Sequence, residues 1–342
     1  MINKSNPNFP ASLDIKPSEP SLPAESADGQ LFGTTAQQEA IHKFGIAGRV
    51  WEAAYLLNTY IQSPRDLLFD PALLDEDDCA RPLNVLELGS GTGIVSATLA
   101  QQLTGSGATL VVTDLPEVCP LLEKNLHQHI CRTSGPKVLV RPLTWGNQQE
   151  ALNIAAELGW HLQSALIAPS SQYLTHIVCS DLVYFPELLA PLLRTLIQIT
   201  EPPFVPEISG NSPRVVISYK VRSLTKETPF WSAFGLWFSF QPVQAKRRRT
   251  LPESNDTSNV FKNIDNTVHT NQTLEETWTR FGSADEDNLF IFVAARRPES
   301  LAWEVPFSDS DLLAGVGARG TQTRKGDDTF EGLLLMALDT DI

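Results

Sequence analysis

The chain has only four cysteines in 342 residues, Cys79, Cys119, Cys131 and Cys179, and none forms a C-x-x-C pair. That argues against both a disulfide framework and a thiolate metal site. The six histidines form no ligand cluster, so no metal is expected. No apolar run reaches membrane-spanning length, and the opening Met1-Ile2-Asn3-Lys4-Ser5-Asn6-Pro7 lacks the apolar core of a signal peptide. The expectation is an intracellular protein, cytoplasmic or nuclear, with no membrane association. Positive charge is also scarce: 26 Lys and Arg stand against 40 Asp and Glu, for a net charge of −14. Phosphate backbones repel such a chain, so nucleic acid is not the expected partner, whereas a basic protein would be attracted.

The hydrophobic content of 42% is enough for a real core, in one large domain or two small ones. The chain is organised around Val85-Leu86-Glu87-Leu88-Gly89-Ser90-Gly91-Thr92-Gly93-Ile94-Val95. Val85 to Leu88 read as a buried strand carrying one acid, Glu87. Gly89, Gly91 and Gly93 follow at alternate positions, and an apolar helical pattern runs from Ile94 to Leu103. A strand that stops in glycines and restarts as a helix points backbone N–H groups into a crevice, where any Cβ would hold a ligand off. The bland alternative is a strand-to-helix turn with no ligand.

Residues 1–35 are rich in Pro, Ser, Asn and Ala and are expected to be a disordered arm, with order beginning near Gln37. Gly45 to Tyr60 carries its larger apolar residues at helical spacing, with Trp51 at the start of the helix. On spacing alone, Trp51 is a core aromatic. Asp70 to Asp78 reads as an acidic surface loop. Ala108 to Thr113 is a second strand ending at Asp114, 25 residues beyond Gly89. At about that distance an acidic side chain meets ribose hydroxyls in such units. Further strands are read at Val138–Val140, His176–Ser180, Val215–Tyr219, Phe238–Phe240 and Leu289–Ala294. Helices are read at Pro116–His129, Leu152–Leu158, Leu188–Ile199 and Phe230–Trp237. Residues 244–286 look like a polar, flexible insertion opening with Lys246-Arg247-Arg248-Arg249, either a solvated loop or an import patch. Residues 298–342 form an extension of low periodicity, apart from Phe330 to Leu338.

Strands alternating with helices predict an α/β, Rossmann-like domain over residues 36–297. Its seven-stranded, doubly wound, mostly parallel sheet would bind ligands outside the C-terminal strand ends. Gly89, Asp114, Trp145 and Asp181 all fall just past such ends.

The glycine spacing differs from the dinucleotide fingerprint G-x-G-x-x-G, because the third glycine falls one residue early. It resembles the loop of S-adenosylmethionine-dependent methyltransferases. Four further stretches narrow the resemblance to the seven-strand protein-lysine methyltransferases, the methyltransferase-like group of family 16. They are Gly48-Arg49-Val50-Trp51-Glu52-Ala53-Ala54, Val112-Thr113-Asp114-Leu115, Leu143-Thr144-Trp145-Gly146, and Ser180-Asp181-Leu182-Val183-Tyr184 as a D-x-x-Y signature. Tyr219-Lys220-Val221-Arg222 is similar to fungal enzymes that methylate translation elongation factor 1-alpha. The chain departs from the pattern at Ser180, where alanine is common.

The resemblance implies that Trp51, Glu87, Gly89, Gly91, Gly93, Asp114, Leu115, Trp145 and Ser180 surround S-adenosylmethionine. It implies that Asp181 and Tyr184 orient a lysine amine and that the substrate is a protein such as elongation factor 1-alpha; the expected oligomeric state is a monomer. An unperturbed lysine has a pKa of about 10.4, so the site must admit it as the neutral amine. Three alternatives stay open. One is a small-molecule N-methyltransferase, one is a non-catalytic interaction module, and for Asp181 alone the third is a helix cap before Leu188.

Overall fold

The computed structural model describes residues 8–10, 13–19, 27–75, 78, 82–130, 134–160, 173–206, 212–248, 277–283 and 288–338. Helices α1 (Ala27–Phe32) and α2 (Thr34–Phe44) lead through a 3-10 turn at Gly45–Gly48 into α3 (Glu52–Gln62). Strands β1 (Leu67–Asp70) and β2 (Asn84–Leu88) follow, then α4 (Ile94–Gln102), β3 (Thr109–Asp114), α5 (Cys119–Ile130), β4 (Lys137–Pro142) and α6 (Gln148–Glu157). The second half runs β5 (His176–Ser180), α7 (Pro186–Ile199), β6 (Arg214–Lys220), α8 (Leu224–Trp237), β7 (Phe238–Pro242), β8 (Gln244–Arg247), β9 (Thr279–Arg280) and β10 (Leu289–Arg296). Two short helices close the chain, α9 (Asp309–Leu313) and α10 (Thr329–Leu338).

Seven strands form the central sheet in the order β4-β3-β2-β5-β6-β10-β7. The run from β4 to β6 is parallel throughout, and β10 lies antiparallel to both β6 and β7. This is the expected doubly wound sheet. All five residues of β2 are buried, because helices cover both faces and a strand between them has no wet side. One core lies under α6, α7 and α8. The other lies under α3, α4 and α5. The parallel register, with Leu86 beside Val111 and Ile177, brings the ends of β2, β3 and β5 to one edge.

Three expectations need correction. Helical structure begins at Ala27, not near Gln37, and Gln37 itself is buried. Asp78 is not on a surface loop: it is buried, 3.6 Å from His176 Nε2 and 3.5 Å from Arg214 Nη1. Gln244–Arg247 is not the start of an irregular insertion. It is β8, paired antiparallel with β1 and β9, and Lys246 packs over the Trp278 ring. Arg249 and residues 250–276 of that insertion lie outside the described residues.

The C-terminal extension is built into the core. Helix α8 buries Phe230, Trp231, Phe234 and Trp237, so it is apolar nearly all round and cannot face water on its outer side. The extension covers it: Phe330 stacks on Trp231 with centroids 4.9 Å apart, and Leu312 and Ala318 join the same cluster.

Phe330→Ala should therefore cost about 3–5 kcal/mol, the usual loss for a buried phenylalanine. Urea unfolding checks this, and a change below about 0.5 kcal/mol, within the range of ordinary surface substitutions, would detach the extension from the core.

Candidate active site

The C-terminal ends of β2, β3, β5 and β6 surround a cavity of about 410 Å³. Every residue expected to touch the cofactor lines it except Gly93, and both Asp181 and Tyr184 line it as well. Gly93 sits one step away, as the left-handed N-cap of α4.

Gly89 forms the tightest part of the wall. Its φ is +57°, and a Cβ there would lie 2.8 Å from Leu182 Cδ2 and 2.9 Å from Trp145 Cζ2. The close approach of loop, indole and post-β5 segment needs glycine on both counts. The Ser90 N–H then donates to Thr113 O at 3.0 Å, tying the loop to β3.

Asp114 ends β3 with its carboxylate on the cavity wall. One oxygen accepts the Gly91 N–H at 2.8 Å and the other the Leu115 N–H at 2.7 Å. Each oxygen keeps a lone pair beyond these bonds. Burial pushes this carboxyl up to about 6, against the two backbone donors that pull it down. Glu87, fully buried in β2, is pushed by burial to about 8 and accepts a hydrogen bond from the Ser96 hydroxyl.

Two indoles stand on the wall. Trp51 precedes α3, and its Nε1–H donates to Ile46 O at 3.1 Å. The guanidiniums of Arg49 and Arg222 lie 4.5 and 5.3 Å from its ring centroid. Trp145 meets Tyr184 edge-on, with centroids 6.5 Å apart. Burial raises the Tyr184 phenol well above its ordinary value. Ser180 closes β5, its hydroxyl accepting from Ser218 Oγ at 3.3 Å.

Asp181 departs from the capping reading. It does not cap α7, whose N-cap is Phe185 with proline in the first turn. Its carboxylate also does not face the cavity free. The Arg222 fork donates to Oδ1 at 2.7 Å and to Oδ2 at 2.6 Å, the Lys220 N–H adds a third bond at 3.3 Å, and the side chain is 0% exposed. This pairing offsets the cost of burying the carboxylate in its charged form. The residue takes φ +60°, which a short polar side chain tolerates better than most.

The sequence reading missed Arg222 as a site residue, together with Glu52 and Glu227. Arg222 Nη2 lies 3.7 Å from Glu52 Oε2. Buried Glu227 accepts from the Tyr219 hydroxyl and from the N–H groups of Arg222 and Ser223, fixing the turn that carries the guanidinium. The usable signal is Tyr219-Lys220-Val221-Arg222, which sets an arginine just past the end of β6. Asking which cation neutralises Asp181 would have found it.

A lysine methyltransferase family model matches residues 34–234. The chain belongs to this family. Mouse EEF1A lysine methyltransferase 3 is 33% identical over 107 residues, which is 31% of this chain and 38% of the relative. Protein N-lysine methyltransferase METTL21A of Xenopus tropicalis is 27% identical over 158 residues, 46% of this chain and 57% of the relative. Mouse methyltransferase-like protein 22 is 29% identical over 153 residues, 44% and 35% respectively. The chain thus spans between about a third and somewhat over half of the curated relatives it matches.

The family's cofactor is S-adenosylmethionine, and the wall fits it chemically. Asp114 offers acceptor lone pairs suited to vicinal hydroxyls, and the glycine loop offers backbone without side chains. The indoles and Leu115 offer apolar surface.

A carboxyl that accepts two hydroxyls must be ionised, and burial pushes that of Asp114 up to about 6. Cofactor affinity should be flat above pH 7 and fall below pH 6, approaching about tenfold per unit. Asp114→Asn should bind at least about tenfold more weakly, with no such slope, as calorimetry from pH 5 to 8 would measure.

The sign for stability is separate. A carboxyl raised on folding binds more protons folded than unfolded, so stability is lost as pH rises from the unfolded to the folded value. For Glu87 that window is pH 4.5 to about 8. Glu87→Gln should therefore raise the Tm more at pH 8.5 than at pH 4.5, and an equal shift at both would contradict the account.

Proposed function

We propose that the protein is an S-adenosylmethionine-dependent protein-lysine N-methyltransferase and that elongation factor 1-alpha is its substrate. One observation carries the reading: apart from Asn8 and Leu13, every residue lining the cavity falls within the matched span 34–234. The named site residues Trp51, Glu87, Gly89, Gly91, Gly93, Asp114, Leu115, Trp145, Ser180, Asp181 and Tyr184 lie there too. The substrate reading is supported by the likeness to mouse EEF1A lysine methyltransferase 3 and by a net charge of −14, which suits a basic partner. We place this work in the cytoplasm, with the protein acting as a monomer.

The bound cofactor supplies an electrophilic methyl group on a sulfonium. The protein's task is then positioning and water exclusion for an in-line displacement. Trp51, Leu115 and Trp145 supply the apolar walls. Asp114 holds the sugar. Tyr184 and Arg222 stand where a lysine side chain enters, and a fixed guanidinium disfavours the ammonium form of a neighbouring amine. Asp181 acts through Arg222, which it holds in place.

Incubating the full chain with labelled cofactor and purified elongation factor 1-alpha tests the assignment by peptide mapping. Label on one lysine is expected. Cofactor binding with no label in that protein would remove it as substrate. Asp181→Asn tolerates the same backbone but gives up the charge. Its cofactor affinity should change little while turnover falls about a hundredfold, roughly 2.7 kcal/mol. Normal turnover would remove Asp181 and its arginine from the mechanism.

A further inference from the structure

Asn8 and Leu13 line the cavity yet lie outside the matched span. They belong to a stretch that crosses the 3-10 turn ahead of Trp51. We infer that residues 8–10 and 13–18 are a strap forming the outer wall of the cofactor cavity, that Gln37 is the positioning residue that pins it, and that cofactor exchange requires its release. The inference rests on reading this cavity as the cofactor's.

Three attachments define the strap. At its start, the buried Asn8 accepts the Ile46 N–H on its carbonyl at 2.9 Å. A Cβ on Gly45, at φ +58°, would sit 1.7 Å from that carbonyl oxygen, so the crossing needs a glycine beneath it. Midway, Lys16 O accepts from Arg49 Nη1 at 2.7 Å, and the same Arg49 guanidinium lies over the Trp51 ring. At the end, Ser18 is held by Gln37. Oε1 of Gln37 accepts from Ser18 N at 3.0 Å and from Ser18 Oγ at 3.1 Å. Ser18 Oγ also lies 2.7 Å from Tyr55 Oη.

Gln37 couples the strap to the site. The same Oε1 accepts the N–H of Val50, the residue before Trp51, at 3.1 Å, and Nε2 donates to Phe32 O at 2.8 Å. One buried amide therefore fixes both the strap and the entry to the tryptophan wall. A polar group so deep is tolerated only with its partners in place.

The way the strap is held sets it apart from the core. Its apolar side chains bury little: Leu13 is 41% exposed and Phe9 is 45% exposed. Hydrogen bonds to Ile46, Arg49 and Gln37 do most of the holding. Segments with few buried apolar contacts open at lower free energy than the domain they cover. The strap can lift while the two cores under the sheet stay folded.

The test uses the full chain with S-adenosylhomocysteine as the probe. Stopped-flow tryptophan fluorescence follows its dissociation, since Trp51 and Trp145 line the cavity. Gln37→Leu should speed dissociation at least tenfold, and deletion of residues 1–19 should do the same. Gln37→Glu, which keeps the acceptor oxygens for Ser18 and Val50, should stay closer to wild type. In the wild-type protein, hydrogen exchange across residues 13–19 should slow when the probe binds, a change that a merely structural contact would not give. If the deletion variant fails to fold by circular dichroism, Gln37→Leu decides. Wild-type dissociation rates in the folded variants would overturn the strap and leave the cavity assignment standing. No binding of the probe to the wild-type chain by calorimetry would overturn both.

Discussion

The site depends on the absence of a side chain at one position. Gly89 ends the central strand in a left-handed turn, and a Cβ there would run into Leu182 and Trp145. Because nothing stands between them, the loop after β2, the indole after β4 and the segment after β5 close on one another from three strand ends. The parallel sheet supplies the rest, since its register delivers Asp114 and Ser180 to the same edge. The cavity is what remains between backbone on one side and indoles on the other.

Charge inside that cavity is managed in two ways. Asp114 and Glu87 are buried without a cation close by, and burial raises both, so their protonation is open to pH in the physiological range. Asp181 is buried beside a guanidinium that takes both its oxygens. The first arrangement suits a wall whose carboxyl keeps lone pairs to offer a ligand. The second suits a fixed electrostatic element, because breaking a buried pair leaves a stranded charge. Glu227 adds rigidity by binding the backbone of the turn that carries Arg222.

Much of this was legible in the sequence because its determinants are local. A strand, three spaced glycines and a helix are consecutive residues, and Asp114 lies one helix and one strand further on. Trp145 and Ser180 lie beside predicted strand ends, whereas Trp51, at the start of a helix, was placed at the site only by the family resemblance. What could not be read depends on partners distant in the chain. Nothing near Asp181 announces that Arg222, 41 residues away, holds its carboxylate. The N-terminal stretch lacks hydrophobic periodicity because hydrogen bonds to Gln37 and Arg49 hold it rather than an apolar stripe. The extension after β10 looked unstructured for the opposite reason: its few apolar residues, Leu312, Ala318 and Phe330, gain meaning only against the aromatic face of α8.

The central claim is that this cavity carries out methyl transfer to a lysine of a protein. It is met most directly by incubating the full chain with methyl-labelled S-adenosylmethionine and a eukaryotic lysate, hydrolysing the protein fraction to amino acids and separating them. The account predicts label recovered as methylated lysine with the wild-type chain and lost with Asp114→Ala. Label confined to small molecules, or protein label unchanged by that substitution, would contradict it.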